Sequence, residues 1–107
     1  MELLDLNVQR GATFHRTLKI KQDGQYIDLT GYYAKSEVRE NPDGGKLIAS
    51  MEIMITPAEG KIDIRIPPEE TQKIESGTYV WDLKVNDGID VTYYVGGKFI
   101  VLPAVTE

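Results

Sequence analysis

Histidine and cysteine, two side chains that often carry catalysis or hold metal ions, are almost absent from this sequence. His15 is the only histidine. It falls on the polar phase of an alternating segment and has no second imidazole to share a metal with, so we interpret it as an ordinary exposed side chain. There are no cysteines, which excludes disulfides, thiolate zinc sites and cysteine nucleophiles. The sequence predicts no enzyme, no cofactor and no metal centre.

Acidic residues occur in two patterns that could suggest a site. Glu69 and Glu70 begin a short helical segment, where free backbone N–H groups favour negative charge, so a glycosidic acid–base pair is the weaker interpretation. Asp23-Gly24 and Asp87-Gly88-Ile89-Asp90 lack the several oxygen ligands, spread over about 12 residues, that a calcium loop needs. Both Asp-Gly segments are predicted to be hairpin turns.

Two tyrosine pairs, Tyr32-Tyr33 and Tyr93-Tyr94, are the best candidates for a binding surface. Strict alternation along each strand turns one ring of each pair inward and leaves Tyr33 and Tyr94 near the surface. Tyrosine is enriched at interfaces because it combines an apolar ring with a polar hydroxyl. Tyr33 and Tyr94 are therefore candidate surface-contact residues, and structural packing is the competing interpretation.

The strand that must position everything else runs from Ser76 to Val85. It holds the only tryptophan, Trp81, on an apolar phase that alternates with polar residues. Because aromatic side chains bury large areas, we predict that this is the central strand of the fold. Tyr79, near its start, is typical of the corner tyrosine of immunoglobulin-like sandwiches, whose hydroxyl bonds back to the chain upstream.

Alternating segments of similar length recur along the whole chain. They are the first nine residues, Phe14 to Lys21, Tyr32 to Glu40, Leu47 to Ile55, Ile62 to Ile66, Ser76 to Val85, Ile89 to Val95 and Lys98 to Leu102. Gly96-Gly97-Lys98 lacks the rest of a phosphate loop and predicts a bulge between the last two. Pro68 to Ile74 predicts a helical turn that crosses between sheets. The fold class is all-β: an antiparallel immunoglobulin-like β-sandwich of about eight strands with one short helical turn, as a single domain over residues 1–107.

The charge and hydropathy of the chain argue against nucleic acid and membranes as binding partners. The formal charge of −5 and pI near 4.9 disfavour nucleic acid, whose binding depends on clustered Lys and Arg. The longest aliphatic or aromatic run, Phe99 to Leu102, is far shorter than the ~20 residues that cross a bilayer. Glu2 and Asp5 occupy the region where a signal peptide carries positive charge. We expect no nucleic-acid or membrane partner and no secretion signal.

Four segments, in their order along the chain, carry a family resemblance. They are Gln9-Arg10-Gly11-Ala12-Thr13-Phe14, Ile27-Asp28-Leu29-Thr30-Gly31-Tyr32, Pro68-Glu69-Glu70-Thr71 and Ser76-Gly77-Thr78-Tyr79-Val80-Trp81-Asp82-Leu83. Together they resemble small immunoglobulin-like proteins of tailed phages and prophages. They are similar in particular to the N-terminal domain of upper baseplate proteins from phages of Gram-positive bacteria, over nearly the whole chain.

This resemblance implies a non-enzymatic virion structural protein, acting through protein–protein contacts as a tail, baseplate or head–tail accessory or attachment domain. Its implied partners are other phage structural proteins, tail or baseplate subunits, together with further copies of the same chain. Its implied location is the virion, after synthesis in the cytoplasm of the bacterial host. The resemblance assigns no individual contact residue.

Two other classes of function stay open at this point. A carbohydrate-binding module on a virion or cell surface would use exposed aromatic rings on one sheet face to stack on sugars, and Tyr33 and Tyr94 are the candidates for it. A phage-encoded inhibitor of a host protein would use the acidic character of the chain to bind a basic surface.

Overall fold

The predicted all-β fold class is confirmed. The structure is a computed structural model that describes residues 1–43 and 45–106. Within these residues the strands are β1 (Glu2–Leu3), β2 (Leu6–Gln9), β3 (Phe14–Lys19), β4 (Lys21–Gln22), β5 (Gln25–Tyr26), β6 (Tyr33–Arg39), β7 (Leu47–Ser50), β8 (Glu52–Thr56), β9 (Lys61–Ile66), β10 (Gly77–Asn86) and β11 (Val91–Leu102). A 3₁₀ turn spans Pro57–Glu59, and the helical turn α1 spans Pro68–Thr71.

Two sheets form an immunoglobulin-like sandwich. The larger sheet has the order β1-β11-β10-β6-β7, with β2 also paired to β11, and the smaller has the order β3-β9-β8. Strands β4 and β5 form a separate hairpin, whose turn holds Asp23 and Gly24 at positive φ as predicted. Pairing is antiparallel except that β1 and β2 run parallel to β11. The turn α1 leads from β9 in the smaller sheet to β10 in the larger one, which is the crossing that the sequence predicts.

The core lies between the inner faces of the two sheets. In β10, Trp81 is 3% exposed and Leu83 is fully buried, and the strand lies between β11 and β6 as the predicted central strand. In β9, Ile62, Ile64 and Ile66 are all fully buried. Both strands follow the period-2 pattern because each has one face toward the core and one toward solvent.

Tyr79 forms the predicted corner. Its hydroxyl donates a hydrogen bond of 2.6 Å to the carbonyl oxygen of Glu75, four residues upstream. The hydroxyl of Thr71 donates a bond of 2.7 Å to the carbonyl oxygen of Ala12, which fastens α1 to the segment before β3. These two bonds hold the crossing between the sheets in place.

The predicted single strand from Leu47 to Ile55 is wrong. It breaks at Met51, so that β7 pairs with β6 in the larger sheet and β8 pairs with β9 in the smaller one. The backbone N–H of Met51 donates to the carbonyl oxygen of Ser36 at the break. Ile48 has no partner on β6, because the register shifts at this residue, and the side-chain alternation in β7 is reversed there. For this reason Leu47 is 43% exposed, although the alternating pattern predicts it to be buried.

The predicted bulge at Gly96-Gly97 is also wrong. Strand β11 runs through both glycines without interruption, and the irregularity lies at Tyr94, which has no partner between the pairs Leu83 with Val95 and Lys84 with Tyr93. A Cβ on Gly96 would lie 2.7 Å from the carbonyl oxygen of Trp81. The glycines therefore permit a close approach of neighbouring chain segments rather than a kink.

The strand predicted over the first nine residues is interrupted between β1 and β2, at Leu4 and Asp5. The strand predicted from Phe14 to Lys21 ends at Lys19, because the chain turns there into the separate hairpin.

Candidate functional site

The outer face of the larger sheet carries ordered rows of charged and aromatic side chains. Directly opposed residues on β6, β10 and β11 share this face, because opposed side chains in a ladder point to the same side. The rows are Arg39, Val80 and Lys98; Glu37, Asp82 and Gly96; Lys35, Lys84 and Tyr93; and Tyr33, Asn86 and Val91. The first three rows form a groove, and the fourth lies at the end of the β10–β11 hairpin.

The groove has a volume of about 750 Å³, which is in the range typical of small-molecule sites. Met1 and Leu3 line one side of it, and Asn41 and Pro42 lie at the end next to Arg39. Gly96 contributes no side chain to the floor. A Cβ on Gly96 would lie 3.1 Å from the sulfur of Met1, so the Met1 side chain lies over this gap.

The charges in the groove are mixed. Its lining includes four cationic and three acidic side chains. They are Lys35, Arg39, Lys84 and Lys98 on one hand and Asp5, Glu37 and Asp82 on the other. Glu37 is paired with Arg39 at 3.1 Å and with Lys35 at 3.6 Å. The lining is therefore more positive than the chain as a whole, whose formal charge is −5.

Asp82 is the least satisfied acid in the groove. Its carboxylate accepts no hydrogen bond from any residue that the structure describes. Partial burial raises the pKa of Asp82 above its ordinary value, and the neighbouring charge of Glu37 raises it further. Lys84 and Arg39 oppose this shift without cancelling it. A proton or a hydrogen-bond donor near Asp82 would therefore be favourable.

The end of the β10–β11 hairpin presents three exposed apolar side chains around Asn86, which we call the hairpin-end patch: Tyr33, Ile89 and Val91. Their exposures are 71%, 90% and 51%. The carboxylate of Asp87 accepts hydrogen bonds from the backbone N–H groups of Ile89 and Asp90 at 2.8 and 2.7 Å, and these bonds lower the pKa of Asp87. The predicted hairpin turn is confirmed, and it holds Ile89 in the exposed position.

The two tyrosines singled out from the sequence have different positions. Tyr33 is exposed as predicted and belongs to the hairpin-end patch. Tyr94 is not an open surface ring, because it packs partly buried against the core and its hydroxyl accepts a hydrogen bond from the backbone N–H of Lys21 at 3.3 Å. The bulge at Tyr94 reverses the alternation, so that Tyr93 is the ring on the outer face, at 53% exposure.

The remaining polar candidates have local structural roles. His15 and the hydroxyl of Thr17 both bond to the carboxylate of Asp63 on the neighbouring strand. The bond from Thr17 is the main reason why the pKa of Asp63 is lowered. Glu69 and Glu70 occupy the first turn of α1 without forming a side-chain cap.

Within residues 1–43 and 45–106 no group of three or more His, Cys, Asp or Glu side chains is arranged to hold a metal ion. None of the helical segments found there is long and apolar enough to span a membrane.

Comparison with known proteins gives a fold and no family. No family model matches the chain, and no curated protein matches it. Solved structures do match: one of them is CopC from Methylosinus trichosporium OB3b, with a TM-score of 0.54 and 13% identity over 96% of this chain and 88% of that one. The two share a β-sandwich fold. Since 257 solved chains match, this fold is too widespread to indicate a function by itself.

Proposed function

We propose that this chain is a non-enzymatic structural component of a phage particle, a tail, baseplate or head–tail accessory domain that acts through protein–protein contacts. The observation that carries the proposal is the hairpin-end patch of Tyr33, Ile89 and Val91, three exposed apolar side chains, of which Ile89 is fixed by a hydrogen-bonded turn. Exposed apolar patches with a polar surround are typical of protein–protein contact sites.

The backbone next to this patch favours the same role. Strand β1 pairs with β11 only at Val95 and Gly96, and β2 pairs only from Phe99 onward. The segment Val91–Tyr94 therefore has one edge that no described strand covers. An uncovered strand edge beside exposed apolar side chains is a site where a partner strand can add to the sheet.

The sequence resemblance to phage proteins supports the proposal from a separate direction. Its segments lie mostly in positions that build the fold. Arg10 donates a bond of 2.9 Å to the carbonyl oxygen of Gln72, and the Asp28 carboxylate accepts bonds from the N–H and hydroxyl of Thr30. The resemblance therefore supports the fold, whereas the contact surface is inferred from the exposure of the apolar side chains in the hairpin-end patch.

The test is the incorporation of tagged variants into particles. Phage carrying Ile89→Lys or Val91→Lys should contain the protein at a greatly reduced level, because a lysine in a buried apolar contact leaves an uncompensated charge. Met54→Lys is the matched control, since Met54 is 66% exposed on β8 of the other sheet. Equal incorporation of all three folded variants would exclude the hairpin-end patch as the contact surface.

An inhibitor of a host protein is the second candidate, and the acidic charge of −5 favours it. Such a protein would be produced early in infection and would be absent from purified particles. Affinity capture by its host target would then survive Ile89→Lys and weaken with added salt, because long-range charge attraction is screened.

A further inference from the structure

We propose that the groove on the outer face of the larger sheet binds a neutral polyhydroxylated ligand, a saccharide, with Tyr93 as its stacking surface and Asp82 and Lys84 as hydrogen-bonding partners. This inference goes beyond the structural role proposed above and does not depend on it. It also replaces Tyr94 with Tyr93 as the ring expected to stack on a sugar, because Tyr94 packs partly buried against the core.

The position of Tyr93 fits a stacking role. Its ring is 53% exposed and lines the groove in the same row as Lys84. An aromatic ring offers an apolar face to the C–H groups of a sugar, while its hydroxyl stays available for hydrogen bonding. Asp82 is two residues from Lys84 on β10, so it lies one row away, about 7 Å along the strand.

The mixed charges of the groove select against charged ligands. An anionic ligand would approach the carboxylate of Asp82 in the middle row, and a cationic ligand would approach Lys84 and Lys98 on either side of that row. Like charges brought together in a partly desolvated site are strongly unfavourable. A neutral hydroxyl group has no such conflict, since it donates to a carboxylate and accepts from an ammonium.

Several polar groups in the groove have no strong partner among the residues that the structure describes. Lys84 and Lys98 form no ion pair within the described part of the chain, and the carboxylate of Asp82 accepts no hydrogen bond there. Donors and acceptors are thus both free to face a ligand. A saccharide can use both kinds at once, whereas an apolar ligand would leave them desolvated and unpaired.

The full chain is first screened on a glycan array. It is then labelled with ¹⁵N and titrated with cellohexaose, maltohexaose and N-acetylchitohexaose while its NMR spectrum is followed. At least one neutral glycan should bind, with amide shifts centred on Asp82, Lys84 and Tyr93. Tyr93→Ala should weaken binding about tenfold or more. Asp82→Asn, which keeps the shape of the side chain, should also weaken it, whereas Tyr26→Ala should not, since Tyr26 is similarly exposed at 50% but lies outside the groove.

Three results would overturn the proposal: no binding of any neutral glycan, binding of charged glycans on the array alone, or neutral-glycan binding that Tyr93→Ala and Asp82→Asn leave unchanged. Circular dichroism and thermal melts of each variant establish that it is folded before binding is compared. Loss of sugar binding by Tyr93→Ala with normal incorporation into particles would separate this groove from the hairpin-end patch.

Discussion

The indole Nε1–H of Trp81 donates a hydrogen bond of 2.8 Å to the carbonyl oxygen of Leu4. This bond ties the central strand β10 to the segment between β1 and β2, which lies on the far side of β11. Gly97 is directly opposite Trp81 on β11, and a Cβ there would lie 2.6 Å from the same carbonyl oxygen. The glycine therefore makes room for the contact that fastens the N-terminal edge to the core.

Trp81→Ala should lower the free energy of unfolding by about 3–5 kcal/mol, because it leaves a large cavity and removes the bond to Leu4. Trp81→Phe keeps most of the ring volume and should cost less, about 1–2 kcal/mol, mainly for the lost hydrogen bond. Urea denaturation at pH 7 measures both. Equal midpoints for wild type and Trp81→Ala would contradict the buried position of the ring.

Gly97→Ala should lower the free energy of unfolding by about 1–3 kcal/mol, because its methyl group meets backbone that cannot move away easily. Gly77→Ala is the matched control. It lies on β10, and its Cβ would find no neighbour closer than 3.8 Å, so its effect should be much smaller. A larger loss of stability from Gly77→Ala than from Gly97→Ala would contradict the proposed role of Gly97.

Tyr79→Phe should cost about 0.5–1.5 kcal/mol, since it leaves the Glu75 carbonyl without its donor. Tyr26→Phe should have little effect, because the Tyr26 hydroxyl has no hydrogen-bond partner within the described residues. Chemical denaturation of the two variants in parallel makes the comparison. Equal losses of stability would show that the corner bond contributes nothing specific.

The alkaline limit of stability should also depend on Tyr79. Burial raises its pKa in the folded state above the ordinary value of 10.0. Above pH 10 the unfolded chain therefore loses this proton first, and stability falls as the pH rises through the folded-state pKa. Tyr79→Phe should show a shallower loss of stability above pH 10, measured as unfolding midpoints over a pH series. An unchanged slope would contradict the burial effect.

Asp82→Asn should raise the unfolding free energy at pH 7, by less than about 1 kcal/mol for this partly exposed group. The pKa of Asp82 is raised in the folded state by burial and by Glu37. The stability that the protonated side chain contributes is therefore fully present below its ordinary pKa of 3.8, and it is lost as the pH rises through the folded-state pKa. The gain of Asp82→Asn should therefore disappear near pH 3. Asp90→Asn, in the exposed turn, is the control. A destabilised Asp82→Asn at pH 7 would contradict the sign.

Three features could be predicted because each depends on residues close together in the sequence. Alternation around Trp81 predicted the central strand, the position of Tyr79 near its start predicted the corner by its likeness to immunoglobulin-like sandwiches, and the Asp23-Gly24 pair predicted the turn. Alternation failed at Ile48 and Tyr94, where one unpaired residue reverses the side-chain phase of the strand. A bulge is set by the partner strand, and a period-2 pattern carries no information about it.

The groove could not be predicted for a related reason. The charged phases of β6 and β10 are visible in the sequence, but the register that places Glu37 beside Asp82, and Lys84 beside Tyr93, joins segments more than 40 residues apart in one case. Its wall of Met1 and Leu3 depends on the parallel pairing of β1 with β11. Such long-range pairing follows from the packing of the whole core.

The most direct test of the proposed function is peptide mass spectrometry on purified phage particles induced from the strain that encodes this chain, with its copy number measured against a known tail protein. A structural component should be present at a fixed ratio, and a multiple of three or six would favour a position in the tail or baseplate ring. Absence of its peptides from intact particles, with the protein abundant in the same infected cells, would contradict the account.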